Sequence, residues 1–264
     1  MGDGVEGNAS GRIEFPMSDF LRAEFHVHTV LSPCADIEMI PPLIVEEALR
    51  KKIHILAITD HNHTANIEAV QKAAKDTPLK ILPGMELQTS EEVHVLCLFD
   101  ELDQALAFQK IVDAHLPNIE NNIEYFGEQF VVDETGDFIR REERLLLTST
   151  TLTLHQAWEE VQALEGLFIP AHVNRQAFGL IPILGMIPLD TPIEIVEISR
   201  HLPVEKAAML FPQIQNLPLI QSGDAHFLED ILGWNYLSIP EISLKDISEA
   251  IKSLCPQKHQ IIPD

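Results

Sequence analysis

Cysteine is scarce in this chain. Its 264 residues include three cysteines, Cys34, Cys97 and Cys255, which are widely spaced and odd in number. This pattern argues against a disulfide framework and against a structural zinc site of the C-x-x-C type. A reducing compartment fits best, so we expect a cytoplasmic protein. No base is adjacent to Cys34 in the sequence, and we interpret it as a small packed residue rather than a nucleophile.

Positive charge and long apolar runs are also in short supply. Lys and Arg number 18 against 41 Asp and Glu, which gives a formal net charge of -23. Because non-specific binding to duplex nucleic acid depends on clustered cations, we expect no long duplex partner. Apolar runs such as 55–58 and 93–99 are far shorter than a membrane span, and the first residues lack the pattern of a signal peptide. We therefore expect no membrane partner, and the sequence makes no prediction of oligomeric state.

Apolar strand-like runs alternate with amphipathic helix-like segments along most of the chain. Residues 1–20, rich in glycine, are predicted to be a flexible leader, and residues 21–264 a single domain. Strands followed by helices predict an α/β fold with a parallel sheet closed into a barrel. The rhythm breaks at about 117–150, where the turn signal at 134–137 predicts an inserted helix and hairpin.

Histidines and carboxylates follow the predicted strands. In the run 24–29, His26 and His28 alternate with Phe25 and Val27, so a strand would place both imidazoles on one face. Further groups of the same kind come at or just after other strands, where a parallel barrel builds its active site. The candidate metal ligands are His26, His28, Asp36, His61, Glu86, His94, His172, Asp224 and His226.

The make-up of this set indicates a catalytic metal centre. Nitrogen and oxygen ligands without sulfur favour zinc, manganese or iron. Nine groups exceed the needs of one ion, so we expect two to three divalent ions. Glu86 is the natural bridging ligand, because its neighbour Gly84 allows the backbone to approach closely.

The motifs resemble those of the PHP (polymerase and histidinol phosphatase) family of metal-dependent phosphoesterases. The resemblance runs from about Ala23 to Glu229, and it implies a distorted (β/α)7 TIM-like barrel with up to three metals at its rim. It is carried in order by His26-x-His28, Thr59-Asp60-His61-Asn62, Gly84-x-Glu86, His94, Pro170-Ala171-His172 and Ser222-Gly223-Asp224-Ala225-His226.

The resemblance also implies a division of the ligands. The first metal would take His26, His28, Glu86 and Asp224, the second Glu86, His94 and His172, and the third Asp36, His61 and His226. The chain departs from the family pattern in having Glu24 where Asp is usual. Its loop to Asp36 is also longer than the common form, and Glu38 is the alternative ligand there.

We expect a metal-dependent phosphoesterase that hydrolyses a small phosphorylated substrate, a phosphomonoester or nucleotide, by metal-bridged hydroxide attack. The third metal, oriented with help from Asp60, would assist the leaving group. Arg175 and Arg200 are candidate phosphate clamps, because a guanidinium pairs bidentately with phosphate oxygens.

Two alternatives remain open. Other PHP members suggest an exonuclease on short single-stranded nucleic acid, which would need a cationic or aromatic track that is not obvious in the sequence. A non-catalytic metal-binding module is the second alternative, and the intact ligand set argues against it. Substrate identity depends on the 117–150 insertion and the rim loops, whose shape the sequence does not give.

Overall fold

The computed structural model describes residues 20–263. The predicted leader, residues 1–20, lies outside the described residues except for Phe20, and the boundaries of the predicted domain stay predictions. Among residues 20–263, no helix is both long and apolar enough to cross a membrane.

Strands and helices alternate as the sequence patterns predicted. The strands are β1 (Leu21–Val27), β2 (Ile55–Ile58), β3 (Lys80–Gln88), β4 (His94–Leu98), β5 (Phe130–Val132), β6 (Phe138–Arg141), β7 (Leu167–Pro170), β8 (Val196–Ser199), β9 (Leu219–Ser222), β10 (Asn235–Leu237) and β11 (His259–Ile261). The helices are α1 (Pro41–Arg50), α2 (Ile67–Ala73), α3 (Leu102–His115), α4 (Ile123–Phe126), α5 (Leu154–Ala163), α6 (Leu180–Leu184), α7 (Val204–Leu210) and α8 (Leu244–Lys252). Sequence analysis missed α6, a single turn, and β11, a three-residue edge strand.

The strands form one large curled sheet and a parallel pair that continues its curve. The sheet has seven strands in the order β11-β10-β1-β2-β3-β4-β7, and β8 pairs with β9. A hydrogen bond from the Val173 N–H to the Glu197 carbonyl (2.8 Å) links the segment after β7 to β8, and a bridge between Val27 and Ala225 links β1 to the segment after β9. The predicted α/β fold with a TIM-like barrel is confirmed as a mixed α/β structure whose seven-stranded sheet curls into a half-barrel.

The expectation of a parallel sheet is wrong at β10, which is antiparallel to both β1 and β11, and it is also wrong around β4. This strand is antiparallel to both β3 and β7. Only residues 89–93 separate β3 from β4, which is too short for the crossover that a parallel pair needs. The resulting hairpin pairs Gln88 with His94, so His94 lies close to Glu86 on the neighbouring strand.

Two apolar clusters hold the strands in place. In β2, Ile55 and Ala57 belong to an inner cluster, whereas Leu56 and Ile58 pack in the cluster that includes the outer helices. This explains the continuous apolar run in β2, because such a strand is covered on both faces. The amphipathic helix α8 packs on the inner cluster and leaves the rim at the strand ends for the histidines.

The 117–150 segment contains a helix and a hairpin, as predicted. It holds α4 and the antiparallel pair β5–β6. The side chain of Asn62 donates to the carbonyls of Leu146 (2.8 Å) and Thr148 (2.9 Å), and the Thr150 N–H donates to the Gln88 carbonyl (2.9 Å). The insertion is thus fastened to Asn62, which directly follows His61, and to Gln88, which lies two residues after Glu86.

Glu24 joins the first strand to the loop that carries Asp224 and His226. Its buried carboxylate accepts hydrogen bonds from the backbone N–H groups of Gly223 (3.0 Å), Leu232 (3.1 Å) and Gly233 (2.8 Å). Gly223 cannot be replaced without movement, because a Cβ there would lie 1.7 Å from the carbonyl oxygen of Asp230. Glu24 therefore stabilises a tight backbone arrangement directly before Asp224.

We predict that Glu24→Ala lowers the free energy of unfolding by roughly 3 kcal/mol, because three buried N–H donors would lose their acceptor. Urea unfolding followed by circular dichroism measures the loss. The exposed Glu46 is the matched control, and Glu46→Ala should change stability by less than about 0.5 kcal/mol. Equal losses in the two variants would contradict this account of Glu24.

Candidate metal centre

The predicted ligand residues converge at one rim of the curled sheet, with one exception. His26 lies in β1, Glu86 in β3 and His94 at the start of β4. The remaining members of the converging set lie just beyond strand ends, namely His28, His61, His172, Asp224 and His226.

Glu86 is the centre of this cluster. Its carboxylate is 1% exposed and lies within salt-bridge distance of five imidazoles. The N–O distances are 2.9 Å to His94, 3.0 Å to His172, 3.0 Å to His61, 3.3 Å to His26 and 3.3 Å to His28. A Cβ at Gly84 would lie 2.9 Å from the Thr59 side chain, so a glycine there allows β3 to approach β2 closely.

Asp224 is the second carboxylate of the cluster. One of its oxygens lies 3.2 Å from Nε2 of His26 and 3.4 Å from Nε2 of His28, while the other accepts a hydrogen bond from Arg175. Asp224 and His172 both have positive φ angles, +49° and +29°, which L residues rarely adopt. Such backbone strain persists only where the surrounding structure imposes it and clusters at functional sites.

Three imidazoles have their Nδ1 atoms held by groups behind them. His26 Nδ1 lies 3.0 Å from Oε2 of buried Glu197, and His226 Nδ1 lies 2.8 Å from the Asp224 carbonyl. His28 Nδ1 lies 2.9 Å from the Ser32 hydroxyl, which donates to Asp60 at 2.7 Å. Because these acceptors hold a proton on Nδ1, each Nε2 is left to bind a metal in place of a second proton, as in metal-ligating histidines.

Several buried polar atoms in the cluster have no hydrogen-bond partner among the described residues. They are Nε2 of His26, Nε2 of His28, Oε2 of Glu86 and Nδ1 of His172. Buried polar groups are normally paired, so unpaired nitrogen lone pairs beside carboxylate oxygens call for a cation between them. The donor set, imidazole nitrogen and carboxylate oxygen, fits zinc, manganese or iron.

The charges of the cluster shift its pKa values. Burial alone would lower the pKa of His28, but Asp224 and Glu86 raise it to about 9. Burial would likewise lower the pKa of His61, but Cys34 and Glu86 raise it to about 9. Burial would raise the pKa of Glu86, yet the surrounding imidazoles hold it well below its ordinary value. Protons therefore occupy the cluster wherever metal does not.

His94 and His226 behave in the opposite way. Burial lowers the pKa of His94 to about 4, with His61 and His172 adding to the effect. Burial and the neighbouring His28 lower the pKa of His226 to about 3. Both side chains are therefore neutral at physiological pH and can offer lone pairs to a metal.

The atoms form three groups able to hold an ion. One is His26, His28, Glu86 and Asp224, the set implied for the first metal. A second is His61, Glu86 and His94, and a third is His28, His61 and His226. His172, implied for the second metal, contacts Glu86 but is not part of these groups. The assignment of each ligand to an ion stays a prediction.

The structure does not bring Asp36 into the cluster. Its carboxylate accepts a hydrogen bond from the Glu38 N–H (2.9 Å), a local turn contact, while its own N–H donates to the His226 carbonyl (2.8 Å). The alternative ligand, Glu38, is exposed. The geometry of this loop therefore does not support Asp36 or Glu38 as a carboxylate ligand of the third metal.

The three predicted catalytic side chains have different placements. Arg175 lines the cavity over the cluster and contacts Asp224. Asp60 is buried and reaches His28 only through Ser32, so it positions a ligand rather than touching a substrate. Arg200 pairs with Asp230 and does not line the cavity, because this partner holds it elsewhere.

Sequence reasoning missed two residues of the site. Glu197 lies inside β8, and it holds both the His26 side chain and the His172 N–H (3.0 Å). A carboxylate between Val196 and Ile198, in the middle of a predicted strand, was the available signal. Cys34, interpreted as a packed residue, is instead exposed and lines the cavity.

The cavity above the cluster has a volume of about 340 Å³. Its floor is formed by the metal-binding candidates, and Arg175 adds a positive charge to the wall. Three apolar side chains, Phe126, Leu147 and Phe178, complete the lining. Phe126 and Leu147 come from the 117–150 insertion, and Phe178 stacks on His94 at a ring distance of 4.4 Å.

A family comparison agrees with the motifs. The family model of the PHP domain matches residues 24–126, so the resemblance to the PHP family is confirmed over this part of the chain. A protein of Streptococcus pneumoniae with no known function is 30% identical over 67 residues, which are 22% of this chain and 26% of that protein.

Solved structures share the fold. The lesion-specific endonuclease Q of Pyrococcus furiosus has a TM-score of 0.67 at 20% identity, with 92% of this chain and 57% of that chain covered. A protein of Bifidobacterium adolescentis described as a metal-dependent phosphoesterase has a TM-score of 0.52 at 16% identity, with 86% and 92% covered. The chain thus spans less than two thirds of endonuclease Q and of the pneumococcal protein.

The expectation that this chain has no long duplex nucleic acid partner is wrong. An endonuclease Q structure with a TM-score of 0.63 and 18% identity, covering 92% of this chain and 58% of that chain, holds a 27-mer duplex with an abasic lesion at the active site. Net charge describes the whole molecule, whereas binding depends on the local surface, where bound cations can be the largest charges.

We predict that Glu197→Gln weakens metal binding by about ten- to a hundredfold, because His26 and His172 lose the charged group that orients them. Equilibrium dialysis with zinc measures the affinity. The exposed Glu194 in the same segment is the matched control, and Glu194→Gln should bind zinc as the parent does. An unchanged affinity in Glu197→Gln would remove this residue from the centre.

We also predict that metal binding releases protons and tightens as pH rises from about 6 to 9. The pKa values of His28 and His61 are raised to about 9, so both rings hold a proton at neutral pH that a metal must displace. Calorimetry in buffers of different ionisation enthalpy measures the released protons. Binding enthalpies independent of the buffer would contradict the raised pKa values.

Proposed function

We propose that this chain is a metal-dependent phosphoesterase that hydrolyses a small phosphorylated substrate, a phosphomonoester or nucleotide, with two to three divalent ions of zinc, manganese or iron. The observation that carries the proposal is the buried Glu86 carboxylate, contacted by five imidazoles at the floor of a cavity that Arg175 lines. The PHP match and the phosphoesterase-like fold support it.

The cavity suits a phosphoryl group next to the cluster. Its volume of about 340 Å³ fits a small ligand, at the lower end of the range of small-molecule sites. Arg175 is 42% exposed and contacts Asp224, so its guanidinium can turn from that carboxylate to a phosphate oxygen. This arrangement would place the phosphate between the guanidinium and the ligand cluster.

The chemistry divides between the ions and the chain. Bound divalent cations lower the pKa of a bound water and neutralise phosphate charge during displacement. The residues of the chain hold the ligands in place: Glu197 fixes His26, and Asp60 fixes His28 through Ser32. The apolar side chains of Phe126, Leu147 and Phe178 restrict water on the substrate side of the cavity.

Hydrolysis of a phosphodiester in nucleic acid is the second candidate. It is favoured by the fold shared with endonuclease Q, over 92% of this chain. The exposed arginines of the insertion do not favour it: Arg140 and Arg141 pair with Glu142 and Glu128 and so offer little unpaired charge to a DNA backbone. The two candidates differ in substrate and share the metal centre.

The test is a substrate screen with manganese- or zinc-loaded protein. It compares phosphomonoesters, dinucleotides and bisphosphorylated nucleotides with duplex DNA containing an abasic site, and His172→Ala is the control. We expect phosphomonoester or nucleotide turnover that falls by at least about a hundredfold in the variant. Cleavage of the duplex alone would select the second candidate, and no turnover of any substrate would favour a non-catalytic metal-binding module.

We predict that Arg175→Ala raises KM for the phosphorylated substrate by about tenfold or more, because a charged hydrogen bond to the phosphate is lost. Arg200→Ala is the comparison variant and should leave KM nearly unchanged, since Arg200 is held by Asp230 outside the cavity lining. Steady-state kinetics on metal-loaded protein measures both. Equal effects of the two substitutions would remove Arg175 from phosphate binding.

A further inference from the structure

The loop after β1 carries Cys34 to the edge of the metal centre. Its Sγ atom lies 3.1 Å from Nε2 of His226. The loop is fixed at this place, because the Ala35 N–H donates to the Ser32 carbonyl (2.9 Å) and the Asp36 N–H donates to the His226 carbonyl (2.8 Å). The cysteine and His226 are therefore held together by the backbone.

The nitrogen that faces this sulfur is an available ligand. His226 donates its Nδ1 proton to the Asp224 carbonyl at 2.8 Å, so Nε2 carries a lone pair directed at Cys34. The side chain of Cys34 also interacts with His61, on the other side of the same space. Sulfur and two imidazoles thus surround one position.

A second, independent observation points to a ligand at this position. His28 is 0% exposed, and its Nε2 has no hydrogen-bond partner among the described residues. The ring of His28 lies 4.3 Å from that of His226 and 4.5 Å from that of His61. The unpaired Nε2 therefore belongs to a group of three imidazoles that could hold one ion.

We propose that Cys34 is a thiolate ligand of a divalent cation bound with His61 and His226, in the place predicted for Asp36. The proposal rests on the metal centre of the proposed function, and it adds a sulfur ligand at one of the metal positions. The Asp36 carboxylate is not part of the group formed by His28, His61 and His226, and it accepts the Glu38 N–H instead.

The ligand type determines which metal the position selects. On binding, the S–H bond breaks, a sulfur–metal bond forms and the proton passes to solvent. A thiolate is a soft ligand, so the position prefers zinc, and cobalt as its spectroscopic substitute, over magnesium and manganese. The other two groups have only nitrogen and oxygen ligands, so the three positions would differ in their preference for soft and hard metal ions.

The test is cobalt(II) substitution of the full chain, followed by absorption spectroscopy and by counting bound cobalt. We expect a near-ultraviolet sulfur-to-cobalt charge-transfer band in the parent that is lost in Cys34→Ser. Cys255→Ser is the matched control and keeps the band, because Cys255 lies outside the cavity lining. Cys34→Asp should bind as much cobalt as the parent without the band.

Thiol labelling supplies a second readout. In the metal-free protein Cys34 is exposed and should react with a disulfide reagent, and zinc should abolish this reaction in the parent and in Cys255→Ser. Two results would overturn the ligand role of Cys34 and leave the proposed function standing. One is a parent protein that binds cobalt without the charge-transfer band, and the other is labelling of Cys34 that zinc does not affect. Absence of bound cobalt in the parent would overturn both proposals.

Discussion

The buried Glu86 carboxylate and its imidazoles constrain the rest of the structure. Placing an ion in a protein interior costs several kcal/mol, which only close opposite charges and good hydrogen bonds offset. Here the compensation comes from five imidazoles within 3.3 Å, contributed by four separate chain segments. Each segment must therefore end at the right height on the rim, and the strand register and the metal centre depend on each other.

The groups behind the histidines explain why the cluster is suited to metal rather than to an internal ion-pair network. Glu197, Ser32 and the Asp224 carbonyl each take an Nδ1 proton, so the lone pairs of three Nε2 atoms converge. Converging lone pairs and carboxylates repel each other unless a proton or a metal lies between them. The same neighbours that raise the pKa values of His28 and His61 would attract a metal ion, so the protons on these rings are substitutes for cations.

Much of this centre could be predicted from the sequence, because residue type and strand period carry the information. His26, His28, Glu86, His94, His172 and Asp224 all come together as expected. The antiparallel direction of β4 was not predicted. It depends on the length of the turn before this strand, and sequence periodicity does not report strand direction.

Other features depend on three-dimensional placement. Glu197 in β8 becomes recognisable only when β8 lies beside β1, and whether Cys34 or Asp36 reaches the third position is decided by backbone turns within a few residues. The exclusion of duplex nucleic acid failed for a related reason, since a total charge of -23 does not describe the surface around the cavity.

Asn62 connects the ligand cluster to the insertion that lines the cavity. It directly follows His61, accepts the Gln88 N–H (2.9 Å), and donates to two carbonyls of the insertion. Its φ angle of +50° lies in the left-handed region, which asparagine adopts more readily than most residues. Leu147, which lies between these two carbonyls, is thereby placed over the ligands by the same loop that delivers His61. A change of sequence in the insertion can then alter the cavity wall while the geometry of the ligand cluster stays fixed, so the two parts of the site can vary separately.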